Sequence, residues 1–351
     1  MLDGADLGTL AQFETIIDVR SPAEFAEDHA PGAVNLPVLT NAERAEVGTI
    51  YVQESRLKAN RIGAAYVARN IAHHLETALA DKPPDFAPLV YCWRGGQRSE
   101  SMATILSRIG WRTSLLVGGY RTYRRAVQAS LYETPWPFRV ILLDGDTGSA
   151  KTEILGRLAD RGCQVLDLEG LAGHRGSLLG AWPGQTQPSQ KMFESRLWAA
   201  TQRLDPARPM IVEAESSKIG DRMVPPSLWR AMRLAPQLEL AAPVEVRARY
   251  LVRAYGDLIT DQERFEAALA RLPPNISKNQ LKAWRSLFEV GDFISLAQDI
   301  VADHYDPAYA RSRRKGGHTL VGVVKMATME PDDQDAAADA IMALAQDCPD
   351  N

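Results

Sequence analysis

No apolar run in this chain is long enough to span a bilayer, and Met1-Leu2-Asp3-Gly4-Ala5-Asp6 has neither the basic start nor the apolar stretch of a secretion signal. Membrane and export classes are not expected. Cysteine is scarce: Cys92, Cys163 and Cys348 are the only three, with no pair at metal-ligand or redox spacing. That excludes a disulfide framework and suits a reducing compartment in which a thiol stays free, so a cytoplasmic chain is the expectation. Basic excess is lacking too. Lys and Arg number 40 against 44 Asp and Glu, a net charge of −4. No general positive field draws nucleic acid, and any RNA contact must rest on local basic patches.

What is present is globular. With 351 residues, 45% hydrophobic and 24% charged, the chain exceeds what one core usually serves, and two domains are expected. Short apolar runs at 14–20, 89–91 and 114–117 read as buried strands, with helix-like stretches at 62–79 and 100–108. Such alternation implies a parallel α/β sheet. Pro135 and Pro137 bracket Trp136, and a new strand begins at 138, which places a boundary near 128–137. Further core strands are expected at 164–168 and 209–213. The pattern turns helical and charged from 242, with a break at Pro273-Pro274. The expected organisation is an α/β domain over 1–130, a second α/β domain over 137–240, a helical extension over 241–329, and an acidic tail over 330–351 that reads as a solvated terminal helix.

Two segments carry chemistry. V-Y-C-W-R-G-G-Q-R-S at 90–99 follows a strand and opens a helix. A cysteine at such a junction faces backbone N–H groups and the positive end of the helix dipole, both of which favour a thiolate. Gly95 and Gly96 let the backbone curl so that successive N–H groups point inward as an anion nest. Arg98, with Arg94 as a further candidate, adds positive charge at the rim. The combination suits a nucleophile that attacks an anion-bearing donor.

The second segment is D-G-D-T-G-S-A-K-T at 144–152, between a strand and a helix, the context of a P-loop. Gly145, Thr147, Gly148 and Ser149 would cradle phosphate, Lys151 would supply a point charge, and the Thr152 hydroxyl would hold Mg²⁺. Ala150 stands where the pattern has its second glycine, and a positive φ there would cost about 1 kcal/mol. Asp146 places negative charge beside the phosphates. Both departures favour binding a diphosphate over ordinary ATP hydrolysis. Glu213 and Glu215 are candidates for the metal or acid carboxylate, with Asp167 and Glu169 competing. Arg121, Arg124 and Arg125, with Tyr123 to stack on a base, and Arg313, Arg314 and Lys315 are the candidate RNA contacts. His174 and Arg175 are further candidates for substrate or phosphate.

D-V-R-S-P-A-E-F-A-E-D-H-A-P-G-A-V-N-L-P at 18–37 and the Cys92 loop together resemble the rhodanese family. The resemblance implies a rhodanese-like first domain, a persulfide-type carrier role for Cys92, and a scaffold role for Asp18 and Arg20. The common rhodanese loop is Cys-Arg-Ser-Gly-x-Arg, whereas five residues separate Cys92 from Arg98 here. The longer loop is similar to that of cysteine-dependent phosphatases and fits a phosphoanion donor. A rhodanese followed by a P-loop, with L-E-G-L-A-G-H-R-G-S at 168–177, Q-P-S-Q-K-M-F-E at 187–194 and I-V-E-A-E-S at 211–216, resembles the tRNA 2-selenouridine synthase family over about 17–309.

That resemblance implies a tRNA substrate carrying 2-thiouridine at the wobble position, geranylation of its sulfur from geranyl diphosphate, and replacement of that sulfur by selenium from selenophosphate. It implies that selenium rides on Cys92 as an S-selanyl cysteine, and that another enzyme supplies the selenophosphate. Two alternatives remain open: a cysteine-dependent phosphatase, arsenate reductase or other sulfurtransferase fused to a nucleotide-binding module, and a non-catalytic regulator with a nucleotide switch.

Overall fold

A computed structural model describes residues 3–5, 7–175, 186–256, 261–270, 272, 276–346 and 348. The expected break at Pro273-Pro274 and the end of the 168–177 motif lie outside these. The chain folds as two compact units, residues 1–133 with 189–199, and residues 134–188 with 200–351. A single cut near 128–137 does not describe it. Among the described residues no helix is long and apolar enough to cross a membrane.

The first unit contains β1 (Asp3–Ala5), β2 (Ile16–Asp18), α1 (Pro22–Glu27), β3 (Ala33–Asn35), α2 (Asn41–Gln53), α3 (Arg56–Glu76), β4 (Leu89–Tyr91), α4 (Gln97–Ile109), β5 (Ser114–Leu116) and α5 (Gly119–Gln128). Its sheet runs β1-β5-β4-β2-β3, every pair parallel. All three residues of β4 are buried, which is why the strand reads as an unbroken apolar run. The parallel order puts the ends of β2 and β4 side by side, with Asp18 opposite Tyr91. Most of α8 (Gln190–Thr201) also belongs to this unit. Glu194 on α8 pairs with Arg124 and accepts the Tyr132 hydroxyl at 2.6 Å, Lys191 meets Glu27 at 2.5 Å, and Trp198 packs edge-on against Tyr123.

Asp18 and Arg20 form a buried pair at 2.6 Å, and Arg20 also donates to the Asp28 carbonyl at 2.6 Å. Burial works against the Arg20 charge, but Asp18 more than offsets it and holds the guanidinium protonated. Asp18→Ala leaves that cation without its partner and is expected to destabilise the unit by about 3–5 kcal/mol, read as a lower midpoint in urea unfolding.

The second unit contains β6 (Val140–Gly145), α6 (Lys151–Asp160), β7 (Gln164–Leu166), α7 (Leu168–Ala172), β8 (Met210–Glu213), β9 (Lys218–Ile219), β10 (Arg222–Met223), α9 (Pro226–Leu234), β11 (Gln237–Ala241), α10 (Val244–Ala254), α11 (Gln262–Leu269), α12 (Lys278–Val290), α13 (Phe293–Ile300), α14 (Asp306–Gly316), β12 (Leu320–Lys325) and α15 (Pro331–Gln346). Its parallel sheet runs β12-β11-β6-β8-β7, and β9 and β10 form a small antiparallel ribbon. Phe265, Leu269, Trp284, Leu296 and Tyr305 build a separate helical core.

Two expectations are corrected here. Residues 320–325, assigned to a helical extension, form a strand hydrogen-bonded to β11, as their β-branched run favours. The acidic tail is no solvated helix. Ala337, Ala338 and Ile341 of α15 are buried in the second core, and Asp335 and Asp339 pair with Arg157 of α6 and with Arg161, the residue that follows it, at 2.6–2.8 Å. The acid run answers basic residues more than 170 positions earlier, a pairing that local pattern does not reveal.

Candidate active site

Both chemical segments sit at the carboxyl ends of parallel strands, where helix N-termini and strand ends leave a crevice. In the first unit Cys92 follows β4 directly and is 4% exposed. Ser99 Oγ, in the first turn of α4, donates to Cys92 Sγ at 3.1 Å. Burial pushes the Cys92 thiol up, but the Ser99 hydroxyl, the backbone N–H groups of Ser99 and Arg94 and the charge of Arg98 outweigh it, so the thiol lies below its ordinary range. Ser99→Ala removes the largest of those opposing contacts. It is expected to move the pH midpoint of Cys92 alkylation upward and to slow alkylation at pH 7 about tenfold. An unchanged profile would mean the hydroxyl does not hold the thiolate.

The loop is held by a second element. Gly95 has φ +72°, and a Cβ there would press on Leu116 O at 3.2 Å and Gly118 N at 3.3 Å. A Cβ on Gly119 would collide with Cys92 O and Gly95 N. Gly119 opens α5, whose Tyr120 and Arg121 N–H groups donate to the Cys92 and Trp93 carbonyls at 2.9 and 3.0 Å. Gly96 has no such need: its φ is −108° and the space beside it is open. Arg94 is exposed, and Arg98 Nη1 is paired at 2.9 Å with Glu24 of α1.

In the second unit the turn after β6 wraps a cavity of about 290 Å³ lined by residues including Gly148, Lys151, Thr152, Glu169, His174 and Arg175. Gly148 (φ +82°) has no room for a Cβ, which would meet Leu251 and the Arg247 carbonyl. Ala150 has φ +57°, the strained conformation its place in the pattern implied. Lys151 Nζ donates to Gly145 O at 2.8 Å. Burial alone would lower its pKa, but Tyr309, Glu215, Glu169 and Asp144 raise it, so it stays cationic. Thr152 Oγ1 donates to Glu169 Oε2 at 3.3 Å. Burial, then the neighbouring Glu215 charge, pushes the Glu169 carboxyl up to about 8 against the pull of Lys151. Burial likewise raises Glu215.

Residues 5–126 match the rhodanese-like domain and residues 138–271 match the tRNA 2-selenouridine synthase AAA domain. A curated tRNA 2-selenouridine synthase of Cupriavidus necator is 32% identical over 351 residues, covering 89% of this chain and 92% of that one. The chain belongs to the tRNA 2-selenouridine synthase family. The Psychromonas ingrahamii synthase is 29% identical, with 84% of this chain and 86% of that one covered. Among solved structures, the N-terminal domain of a putative ATP/GTP binding protein from Clostridium difficile 630 shares 34% identity at a TM-score of 0.32, over 36% of this chain and 98% of that one.

Within this family frame some expected site residues keep their places and others do not. Cys92, Gly95 and Arg98 meet at one loop, and Gly145, Thr147, Gly148, Ser149, Lys151 and Thr152 at the other. Glu213 is withdrawn from the metal role: it is fully buried and accepts the Glu169 N–H at 3.0 Å, which holds the start of α7. Asp167 caps the same helix through Gly170 N at 2.7 Å. Glu169 and Glu215 are the carboxylates beside Lys151. Arg121 and Arg125 are exposed, but Arg124 is tied to Glu194 and Tyr123 is 1% exposed, so neither is open to RNA. Arg313 turns to Asp146 at 2.7 Å and so balances the unexpected acid of the P-loop. The side chains of Arg314 and Lys315 lie outside the described residues. Sequence reasoning missed Ser99 and Gly119, although the double glycine after β5 was the available signal.

Proposed function

We propose that this protein converts wobble 2-thiouridine in tRNA to 2-selenouridine through an S-geranylated intermediate, in the cytoplasm, with selenophosphate supplied by a partner enzyme. The observation that carries the reading is the Cys92 loop: a sulfur drawn below its ordinary pKa by Ser99, on a turn built for an anion, in a chain of this family. In the first step the thiocarbonyl sulfur attacks C1 of geranyl diphosphate, the C1–O bond breaks, and the uridine N3 proton is lost. Lys151 and the P-loop amides would hold the departing diphosphate; a Mg²⁺, if bound, would take Thr152 and an ionised Glu169 and supply further positive charge. Alkylation turns sulfur into a leaving group. In the second step the Cys92 thiolate bonds to C2 as the C2–S bond breaks and geranylthiol departs with a proton. The selenium of selenophosphate then displaces Cys92 from C2, and water cleaves the Se–P bond, releasing phosphate and leaving selenium on C2.

Incubation with labelled selenophosphate, geranyl diphosphate and thiolated tRNA, followed by nucleoside analysis, is expected to place label in the wobble uridine. The five-residue spacing from Cys92 to Arg98 favours one other reading, a cysteine-dependent phosphatase. Steady phosphate release from an aryl phosphate without RNA, with no labelled nucleoside, would replace the first reading by the second.

A further inference from the structure

The first unit holds a groove of about 1060 Å³ among α2, α3 and α4 that neither step above uses. Leu39, Val47, Ala64, Val67, Ile71 and Ile105 give it an apolar lining. Its α4 wall starts with Gln97, Arg98 and Ser101, on the same first turns that bring Ser99 to Cys92 Sγ. The groove therefore reaches the far end of the cysteine loop, at Gln97 and Arg98. Its other wall is α3, which lines the groove with uncharged residues such as Asn60, Gly63, Ala64 and Ala68 and is basic outside it. Arg56, Lys58, Arg61 and Arg69 are exposed, and no acidic residue lies between 56 and 69, in a chain whose net charge is −4. Lys58 is balanced by Glu54, while Arg56 and Arg69 lie over the Tyr51 and Tyr66 rings at 5.5 and 5.6 Å.

An apolar trough flanked by the basic side chains of α3 and reaching the loop that carries a nucleophile fits an apolar chain carried on a polyanion. We propose that the groove holds the geranyl chain of the S-geranylated wobble uridine while C2 faces Cys92, with the basic face of α3 against the neighbouring tRNA phosphates. This rests on the S-geranyl reading above. A peptide helix would want acidic residues against α3 but has no reason to reach the cysteine loop. A free prenyl alcohol would leave the α3 charges unused. Gly63 on the floor shows how tight the α2–α3 contact is, since a Cβ there would already touch Val47 at 3.4 Å.

The test uses the full chain, selenophosphate, and tRNA bearing preformed S-geranyl- or S-dimethylallyl-2-thiouridine. Each buried carbon adds roughly fourfold in binding, so the five extra carbons of geranyl should favour it about thirtyfold in kcat/KM if half of that is realised. Ala64→Trp fills the groove from α3, and Thr104→Trp fills it from α4. Both are exposed positions, and circular dichroism with the Cys92 alkylation rate reports whether the fold survives. The expected result is a geranyl preference cut to less than about threefold in both variants. A wild-type preference retained in both folded variants, or no preference in the wild-type protein, overturns the groove assignment while leaving the S-geranyl reading intact. No selenouridine from either prenylated tRNA, when unmodified thiolated tRNA does yield it, overturns the S-geranyl reading itself and the groove assignment with it.

Discussion

Cys92→Ser is expected to cut 2-selenouridine formation by about 10³-fold or more, while S-geranylated tRNA accumulates when geranyl diphosphate is present. The two halves of that result have separate causes. A serine hydroxyl is nearly isosteric with the thiol and keeps a partner in Ser99, so the loop and α4 retain their shape. What is lost is an ionisable, polarisable atom able to displace geranylthiol at C2 near neutral pH, where the wild-type thiol is drawn toward its anion. Geranylation needs no such atom. In the proposed step its sulfur nucleophile belongs to the substrate, and its leaving group would be held by the P-loop and Lys151 of the other unit. Nucleoside analysis of the reacted tRNA separates the two products. Wild-type levels of 2-selenouridine from the serine variant would remove Cys92 from the chemistry, and loss of both products together would mean the two steps are not divided between the loops.

Much of this arrangement is legible in the sequence because parallel strands buried on both faces appear as apolar runs, and because anion-binding turns need particular glycines next to particular nucleophiles or lysines. The runs at 89–91 and 210–213, the Cys92 loop and the P-loop all carry that local signal. What stayed hidden depends on residues far apart in the chain. Arg124 looked like a surface cation until Glu194 of α8, 70 positions later, claimed it. Arg313 looked like part of a basic cluster until it met Asp146, 167 positions earlier. The acid run of α15 looked solvated because its partners, Arg157 and Arg161, lie on another helix and just past its end. A charge announces its own sign in the sequence but not the charge that will neutralise it. The groove among α2, α3 and α4 was invisible for the same reason: only the packing of the three helices leaves the trough open.

Lys151→Ala is expected to slow geranylation by about 10²–10³-fold. In the proposed first step the diphosphate leaves as C1–O breaks, and the charge it develops would be met by the P-loop amides and by the Lys151 ammonium, held among Tyr309, Glu215, Glu169 and Asp144, which keep it cationic. Removing the cation costs the transition state more than the ground state, because the bridging oxygen gains charge only as the bond breaks. A second consequence follows from the same cluster. Glu169 is already pushed up to about 8 by burial and by Glu215, with Lys151 pulling the other way. Without Lys151 both carboxyls are driven further toward their neutral forms, which would also weaken any grip on a Mg²⁺. Added Mg²⁺ should therefore recover only part of the lost rate. Selenium exchange on preformed S-geranylated tRNA should remain, since no group in that step is on the P-loop. Pyrophosphate release and nucleoside analysis, run side by side, make the measurement. Geranylation at the wild-type rate in a variant that has lost an ATPase activity would reassign the P-loop to a nucleotide and leave the diphosphate of the prenyl donor to be held elsewhere.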